Sequence, residues 1–348
     1  MISIGIDHHK KYCQVQAVRD NGEIVWEGQV PTRYEGFVRL KEELPVGEPV
    51  QSVLESGRGW GAAYDALEDL GLNPLLANPY KTRLIADSYI KTDKIDAAAQ
   101  ALLLRIGMIP TVHVPSRERR EQKQLLRHRL WLVNWQTRIK NRIHDLLDRR
   151  HVDVPPQSDL FGAMGLAWLK GLVLTGPDQH VLASQVKLFE EIRQQIRQTE
   201  KWVDEALKDH PLRPLLDSLP GVGKILGALM ALEIDTIDRF PSASRLCSYS
   251  GLVCSTYSSG GKTSHGGLIP TANRYLRYAF VEASWTAVKV SPYFRSLYSR
   301  LRAHKVPAVA IVAVARRVCE IAYSCLKYQR PYQERPYRFR GRVALSHP

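Results

Sequence analysis

Four acidic residues stand where they could do chemistry together. Asp7 lies near the end of an apolar-alternating run, ISIGIDHH, and Glu55 ends a second, VQSVLES, just before Ser56-Gly57. Asp93 and Asp96 are spaced i, i+3 at the start of a helical pattern, TDKIDAAAQALLLRI, so both can point at one spot. If the two strands are neighbours, a carboxylate from each strand end and two from the helix converge. Hard oxygen donors in that number suit a pair of Mg²⁺ ions roughly 4 Å apart, the arrangement used for in-line phosphodiester chemistry. Crowded carboxylates repel one another without a cation, so the cluster would be costly unless metal is bound. The plainer reading is two acids favoured at a helix N-terminus plus two unrelated surface acids. His8 and His9 follow Asp7 directly, but consecutive strand residues point to opposite faces, and neither is taken as a ligand.

Two further segments carry chemistry-bearing residues. The stretch from Ser255 to Gly267 is rich in Ser and Gly and reads by composition as a flexible surface loop. A serine hydroxyl there is a weak nucleophile unless a base or metal draws off its proton, and only His265 is close in sequence. Leu219-Pro220-Gly221-Val222-Gly223, followed by Lys224, resembles the turn of a helix-hairpin-helix, where backbone N–H groups approach a phosphate. A simple packing turn is the alternative.

The elements that must position these residues are legible as patterns. Alternating runs 2–9, 12–20 and 23–30 predict three strands, with Asn21-Gly22 as a hairpin turn. Helical and strand patterns then alternate, ending in a helix begun by Thr92. That order describes an α/β layer fold with a mixed sheet over residues 1–115. Residues 116–210 predict a basic coiled-coil arm of two long helices on either side of a linker at Pro155-Pro156. Trp131 and Trp135, spaced i, i+4 in the first of them, read as packing residues more readily than as base-stacking platforms, although that basic helix could be an RNA or DNA surface. Residues 211–330 predict a mainly α-helical domain, and 331–348 a basic tail.

The net charge of +14 over 348 residues is unevenly spread. Residues 1–115 hold about 12 basic and 15 acidic side chains, whereas 117–150 hold about 11 basic and 4 acidic. The segment from Arg330 adds five arginines against one glutamate. An acidic module attached to basic ones suggests carboxylate chemistry on a phosphate backbone held by Lys and Arg. The longest apolar run, 307–315, is far below the roughly 20 residues a bilayer requires. Five cysteines without CxxC spacing point to a reducing compartment, so a cytoplasmic protein with no membrane partner is expected.

Taken in order, GIDHHKKYCQV, VLESGRGW and NPYKTRLIADSYIKTDKIDA resemble the DEDD, RuvC-like domain of transposases of the IS110 family. LPGVGKILGALMALEI and SYSGLVCSTYSSGGKTSHGGLIPTANRYLR are similar to that family's C-terminal domain. The resemblance implies an RNase H/RuvC-like α/β fold, with Asp7, Glu55, Asp93 and Asp96 at four metal-binding positions holding two Mg²⁺ ions. It further implies a nucleophilic serine that links covalently to DNA, with Ser259 the closest match and Ser258 the runner-up. Metal-bound carboxylates would activate that serine. Where the family has Pro after Gly-Leu-Val, this chain has Cys254, and where the family has Ile-Ser-Lys it reads Leu268-Ile269-Pro270. The phosphate contact of that lysine would have to come from Lys262, Arg274 or Arg277.

The function implied is a DNA recombinase that moves an insertion sequence, acting on donor and target DNA. A structured guide (bridge) RNA encoded by the element would direct it, and a four-strand reaction implies a homodimer or homotetramer. Two other readings remain: a RuvC-like junction-resolving nuclease using carboxylates and water alone, and a non-catalytic nucleic-acid-binding protein.

Overall fold

Alternation in the first thirty residues folds as predicted into three antiparallel strands, β1 (Ile2–His8), β2 (Tyr12–Arg19) and β3 (Ile24–Pro31). The structure is a computed structural model that describes residues 1–86, 92–156 and 159–334. Residues 87–91 of the acidic-helix motif and most of the predicted tail, from 335 onward, lie outside the described residues. The chain forms two compact units, Met1–Arg117 and Glu118–Pro348.

In the first unit the strands are followed by α1 (Tyr34–Glu43), β4 (Val50–Glu55), α2 (Trp60–Asp69), β5 (Pro74–Ala77), α3 (Pro79–Ile85) and α4 (Asp93–Arg105). The sheet order is β3-β2-β1-β4-β5, with β1–β4 and β4–β5 parallel, so it is mixed and β1 lies at its centre. Strand alternation sorts β1 between two layers. Ile2, Ile4 and Ile6 pack with Phe37 and Leu40 of α1 and Ala63 and Leu67 of α2. Gly5 faces α4, so closely that a Cβ at position 5 would stand 2.1 Å from the Ala97 carbonyl oxygen. Thr92 caps α4, its side chain accepting from the Ile95 N–H at 3.3 Å.

The second unit opens with two long helices, α5 (Arg117–Arg149) and α7 (Pro177–Leu207), separated by α6 (Ala163–Gly171). Ion pairs Arg129–Glu200 and Arg150–Asp178 run in opposite sequence order, which makes α5 and α7 antiparallel. Ile139, Ile143, Leu146 and Leu147, on one face of α5, are buried against Phe161, Leu169, Leu182, Val186 and Phe189. Leu126, near the start of α5, instead shares a core with Val203, Leu207 and the helices that follow. Those are α8 (Arg213–Asp217), α9 (Lys224–Ile234) and α10 (Ala243–Tyr249), then α11 (Arg274–Val290), α12 (Pro292–Arg302) and α13 (Pro307–Lys327). No helix among the described residues is long and apolar enough to cross a membrane.

One departure from composition stands out. The Ser/Gly-rich segment is a β-hairpin, β6 (Cys254–Ser259) and β7 (Lys262–Leu268), joined by Gly260-Gly261. Both glycines have positive φ, 56° and 76°, which is the requirement of a two-residue type I′ turn. Glycine density here marks a tight turn and not a floppy loop.

Candidate functional site

Register brings the acids together in the first unit. β1 pairs β4 in parallel through Ile6–Leu54, and one step further along places Asp7 beside Glu55 on the same face of the sheet. That face is the one α4 covers, because Gly5 and Asp7 are two residues apart on the strand. Asp93 stands one turn N-terminal to Ala97, which touches Gly5. Two strand residues and one helical turn span similar lengths, so Asp93 arrives over Asp7. Asp96 is also near enough to perturb Asp7 electrostatically. Asp7, Asp93 and Asp96 therefore stand near one another at the end of the sheet, and strand register brings Glu55 to the same end.

His9 belongs to the same cluster, which the strand argument missed. Its Nε2 lies 3.0 Å from Asp7 Oδ2 and 3.3 Å from Asp93 Oδ2. Alternation carried past the end of β1 at His8 puts His9 on the face of Asp7, two residues earlier, so the opposite-face argument excludes His8 alone. His8 does face away, lining a cavity of about 390 Å³ with Phe37, Gly59 and Ala63. Tyr12 is the second omission: its hydroxyl donates to Asp93 Oδ2 at 2.8 Å. No local signal announces it, since it reaches the helix from a neighbouring strand.

The electrostatics are those of a cation site. Burial raises the Asp7 carboxyl above its ordinary range; His9 counteracts this, and the charges of Asp96 and Asp93 add to the rise. Ligand atoms from Asp7, His9 and Asp93 lie within 4.8 Å of one another, and the charge of Asp96 acts on Asp7 as well. Carboxylates supplemented by one imidazole are a donor set for a hard or borderline divalent ion.

In the second unit, hairpin register fixes where the serines stand. Ser259 pairs directly with Lys262 across the turn, and Ser258 pairs with Thr263. Ser258 Oγ and Thr263 Oγ1 are hydrogen-bonded at 2.8 Å, and Thr256 meets His265 Nδ1 at 3.1 Å. Ser259 is on the opposite face of its strand from Ser258, away from His265. Exposed Arg274 is the first residue of α11, capped by Asn273, and its guanidinium contacts the Tyr275 hydroxyl. Arg277 is instead drawn inward: it donates to the Ile269 carbonyl beyond β7 and fills the space over Gly251.

At the helix-hairpin-helix-like turn, packing accounts for one glycine. A Cβ on Gly221 would meet the Ala283 carbonyl oxygen at 2.1 Å, so α11 approaches the turn backbone directly. Gly223 faces open space as the N-cap of α9, and exposed Lys224 pairs with Asp204 at 3.0 Å. Trp131 and Trp135, expected to pack, are 54% and 39% exposed.

Comparison with known proteins decides the family. A DEDD transposase model of the IS110 type matches residues 4–152, and the model of the transposase IS116/IS110/IS902 family matches residues 213–299. The chain belongs to the IS110/IS116/IS902 family of transposases.

The family's two domains cover both the acidic cluster and the serine hairpin. The 43.6 kDa protein of insertion element IS110 from Streptomyces coelicolor is 31% identical over 46% of this chain and 40% of its own length. The y4qE protein of Sinorhizobium fredii is 26% identical over 81% of this chain and 71% of its own. The transposase for insertion sequence element IS1328 of Yersinia enterocolitica is 25% identical over 81% and 82%. Transposases are DNA phosphoryl-transfer enzymes, so DNA is the substrate class. The DEDD domain implies a divalent metal, and the cluster at Asp7, His9 and Asp93 fits one.

Proposed function

We propose that this transposase cuts and rejoins DNA strands with two parts of its chain acting on one substrate. Asp7, Glu55, Asp93 and Asp96 would hold two Mg²⁺ ions, and Ser259 would be the nucleophile. The observation that carries the reading is the convergence of Asp7 with Asp93 and Asp96, three mutually repelling carboxylates gathered on a sheet end and a helix start. When bound, the metal supplies charge neutralisation and polarisation of the scissile phosphate. His9, in contact with Asp7 and Asp93, and Tyr12, donating to Asp93, hold the carboxylates in orientation.

Ser259 Oγ attacks phosphorus, forming an Oγ–P bond while the bond to the leaving sugar oxygen breaks. The hydroxyl proton passes to solvent and the leaving oxygen takes one up, so the phosphodiester is conserved for rejoining. Lys262 supports this choice, because directly paired strand residues hold their Cβ atoms roughly 4.5–5.5 Å apart. Its ammonium can reach a phosphate that Ser259 attacks. Arg274, Gly223 and Lys224 are further backbone contacts in this reading, while Gly221 and Arg277 keep the turn and hairpin in shape.

Division of labour follows the same lines: residues 1–115 for metal chemistry, 116–210 as the arm, 211–330 for the serine step. A structured RNA from the element would choose the sites by base pairing, which leaves the protein to read shape and backbone. A dimer or tetramer would serve the four strands.

The test is a gel-resolved reaction of supercoiled donor with its cognate RNA. Asp7→Ala should abolish cleavage, and Ser259→Ala should abolish both strand exchange and the covalent protein–DNA adduct. Cleavage by Ser259→Ala that leaves free ends would replace this reading with a nuclease that uses water.

A further inference from the structure

One surface of α5 is not explained by the catalytic reading. His128, Trp131, Trp135, Arg138 and Arg142 follow the 3-4-3-4 spacing of a single helix face, roughly 21 Å long at 1.5 Å per residue. Every one of them is exposed. Their rings and cations are already organised: His128 stacks on Trp131 at 5.8 Å, Trp131 meets Trp135 edge-on at 5.8 Å, and the Arg138 guanidinium lies 5.1 Å from the Trp135 ring centre. Trp135, Arg138, Ile139 and Arg142 also form one wall of a concavity of about 450 Å³, with His180, Val181 and Leu188 of α7 among those opposite.

Charge decides what this surface fits. Among the described residues no carboxylate lines the concavity. Arg127 and Arg129, earlier on the same helix, are spent on Glu233 and Glu200, whereas among the described residues neither Arg138 nor Arg142 enters an ion pair. Gln185, also in the lining, carries an amide oxygen that meets no donor among the described residues. Indole faces beside unpaired guanidinium groups match bases beside phosphates. A duplex keeps its bases stacked on one another, so only an unpaired strand can use the indoles.

We propose that the stripe His128–Trp131–Trp135–Arg138–Arg142 and the adjoining α5–α7 concavity bind single-stranded nucleic acid, with Trp131 and Trp135 stacking bases and Arg138 and Arg142 holding phosphates. The proposal does not depend on the serine or metal chemistry, because its test involves no cleavage. Binding of the full chain to short fluorescein-labelled oligo-dT, oligo-U and a duplex is measured by anisotropy over a salt series. Trp131→Ala and Trp135→Ala should each weaken single-strand binding about tenfold or more and leave duplex binding within twofold. Arg138→Gln and Arg142→Gln should each lower the slope of log affinity against log salt by about one. Loss confined to oligo-U assigns the site to RNA, and loss confined to oligo-dT assigns it to a displaced DNA strand. Unchanged single-strand binding in the Trp131→Ala/Trp135→Ala double variant overturns the proposal. So does a double variant whose only defect is weaker self-association in sedimentation, which would make this face a contact with a second copy of the chain.

Discussion

Gly5→Ala should disable the acidic site without touching a carboxylate. In the native structure the added Cβ would lie 2.1 Å from the Ala97 carbonyl oxygen and 2.4 Å from the Ala101 amide nitrogen, where ordinary contact begins near 3.4 Å. Both obstacles are helix backbone, which cannot rotate aside, so α4 must lift by about 1.3 Å or β1 must bend by as much. Overpacking of this kind costs roughly 1–3 kcal/mol of stability. The larger effect is on geometry, because the lifted helix begins with Asp93 and Asp96 while Asp7 stays with the sheet. A misplacement of about 1 Å in a catalytic array can cost on the order of a hundredfold in rate. Single-turnover cleavage of supercoiled donor should fall by about that factor. Mn²⁺ affinity, followed by paramagnetic resonance of the free ion, should weaken in parallel, while circular dichroism at 20 °C stays native. If Gly5→Ala cleaves within threefold of the parent and binds Mn²⁺ equally well, α4 does not set the carboxylate spacing and the positioning argument is wrong.

Removing the α4 cap by Thr92→Ala should cost about 1 kcal/mol of stability and loosen Asp93 and Asp96 in the first turn, seen as faster amide exchange at Ile95. The buried His210 imidazole is pushed down to about 4, chiefly by burial, and so stays neutral in the fold while the unfolded chain takes up a proton near pH 6.5. Its contribution is present above pH 6.5 and is lost as pH falls towards 4, up to about 3 kcal/mol. His210→Asn, which can still accept from the Leu212 N–H, should flatten the melting temperature over that window. Glu233 is 2% exposed and joins Arg127, Lys123 and the α11 cap Asn273, so Glu233→Ala should destabilise the second unit by about 3–5 kcal/mol in guanidinium titration. Glu233→Gln keeps a partner for Asn273 and should cost less.

Much of this architecture was legible without coordinates because its signals are local. Alternation over residues 2–30, the Thr92 cap and the long apolar stripe from Leu125 to Leu147 each report a backbone period that neighbouring residues enforce. The four acids could be named for a related reason, since strand ends and an i, i+3 pair are positions along an element. His9 was equally legible, because it stands two residues after Asp7 and alternation carries both to one face; opposite faces exclude only one of two adjacent histidines. The hairpin was misjudged because Ser and Gly are poor strand formers, and the paired glycines of its turn resemble loop composition.

Sequence alone therefore determined the order of elements, the mixed α/β and helical character of the two parts, and which carboxylates and serines were candidates. Tertiary structure decided what no local period contains: that Gly5 lets α4 rest on β1 backbone, and that Asp7 and Asp93 consequently meet. It also decided that Arg277 is consumed inside the protein while Trp131 and Trp135 face outward. Periodicity says which side of an element is apolar. Close approach and charge pairing depend on what the opposite element brings, and that partner is many residues away in the chain.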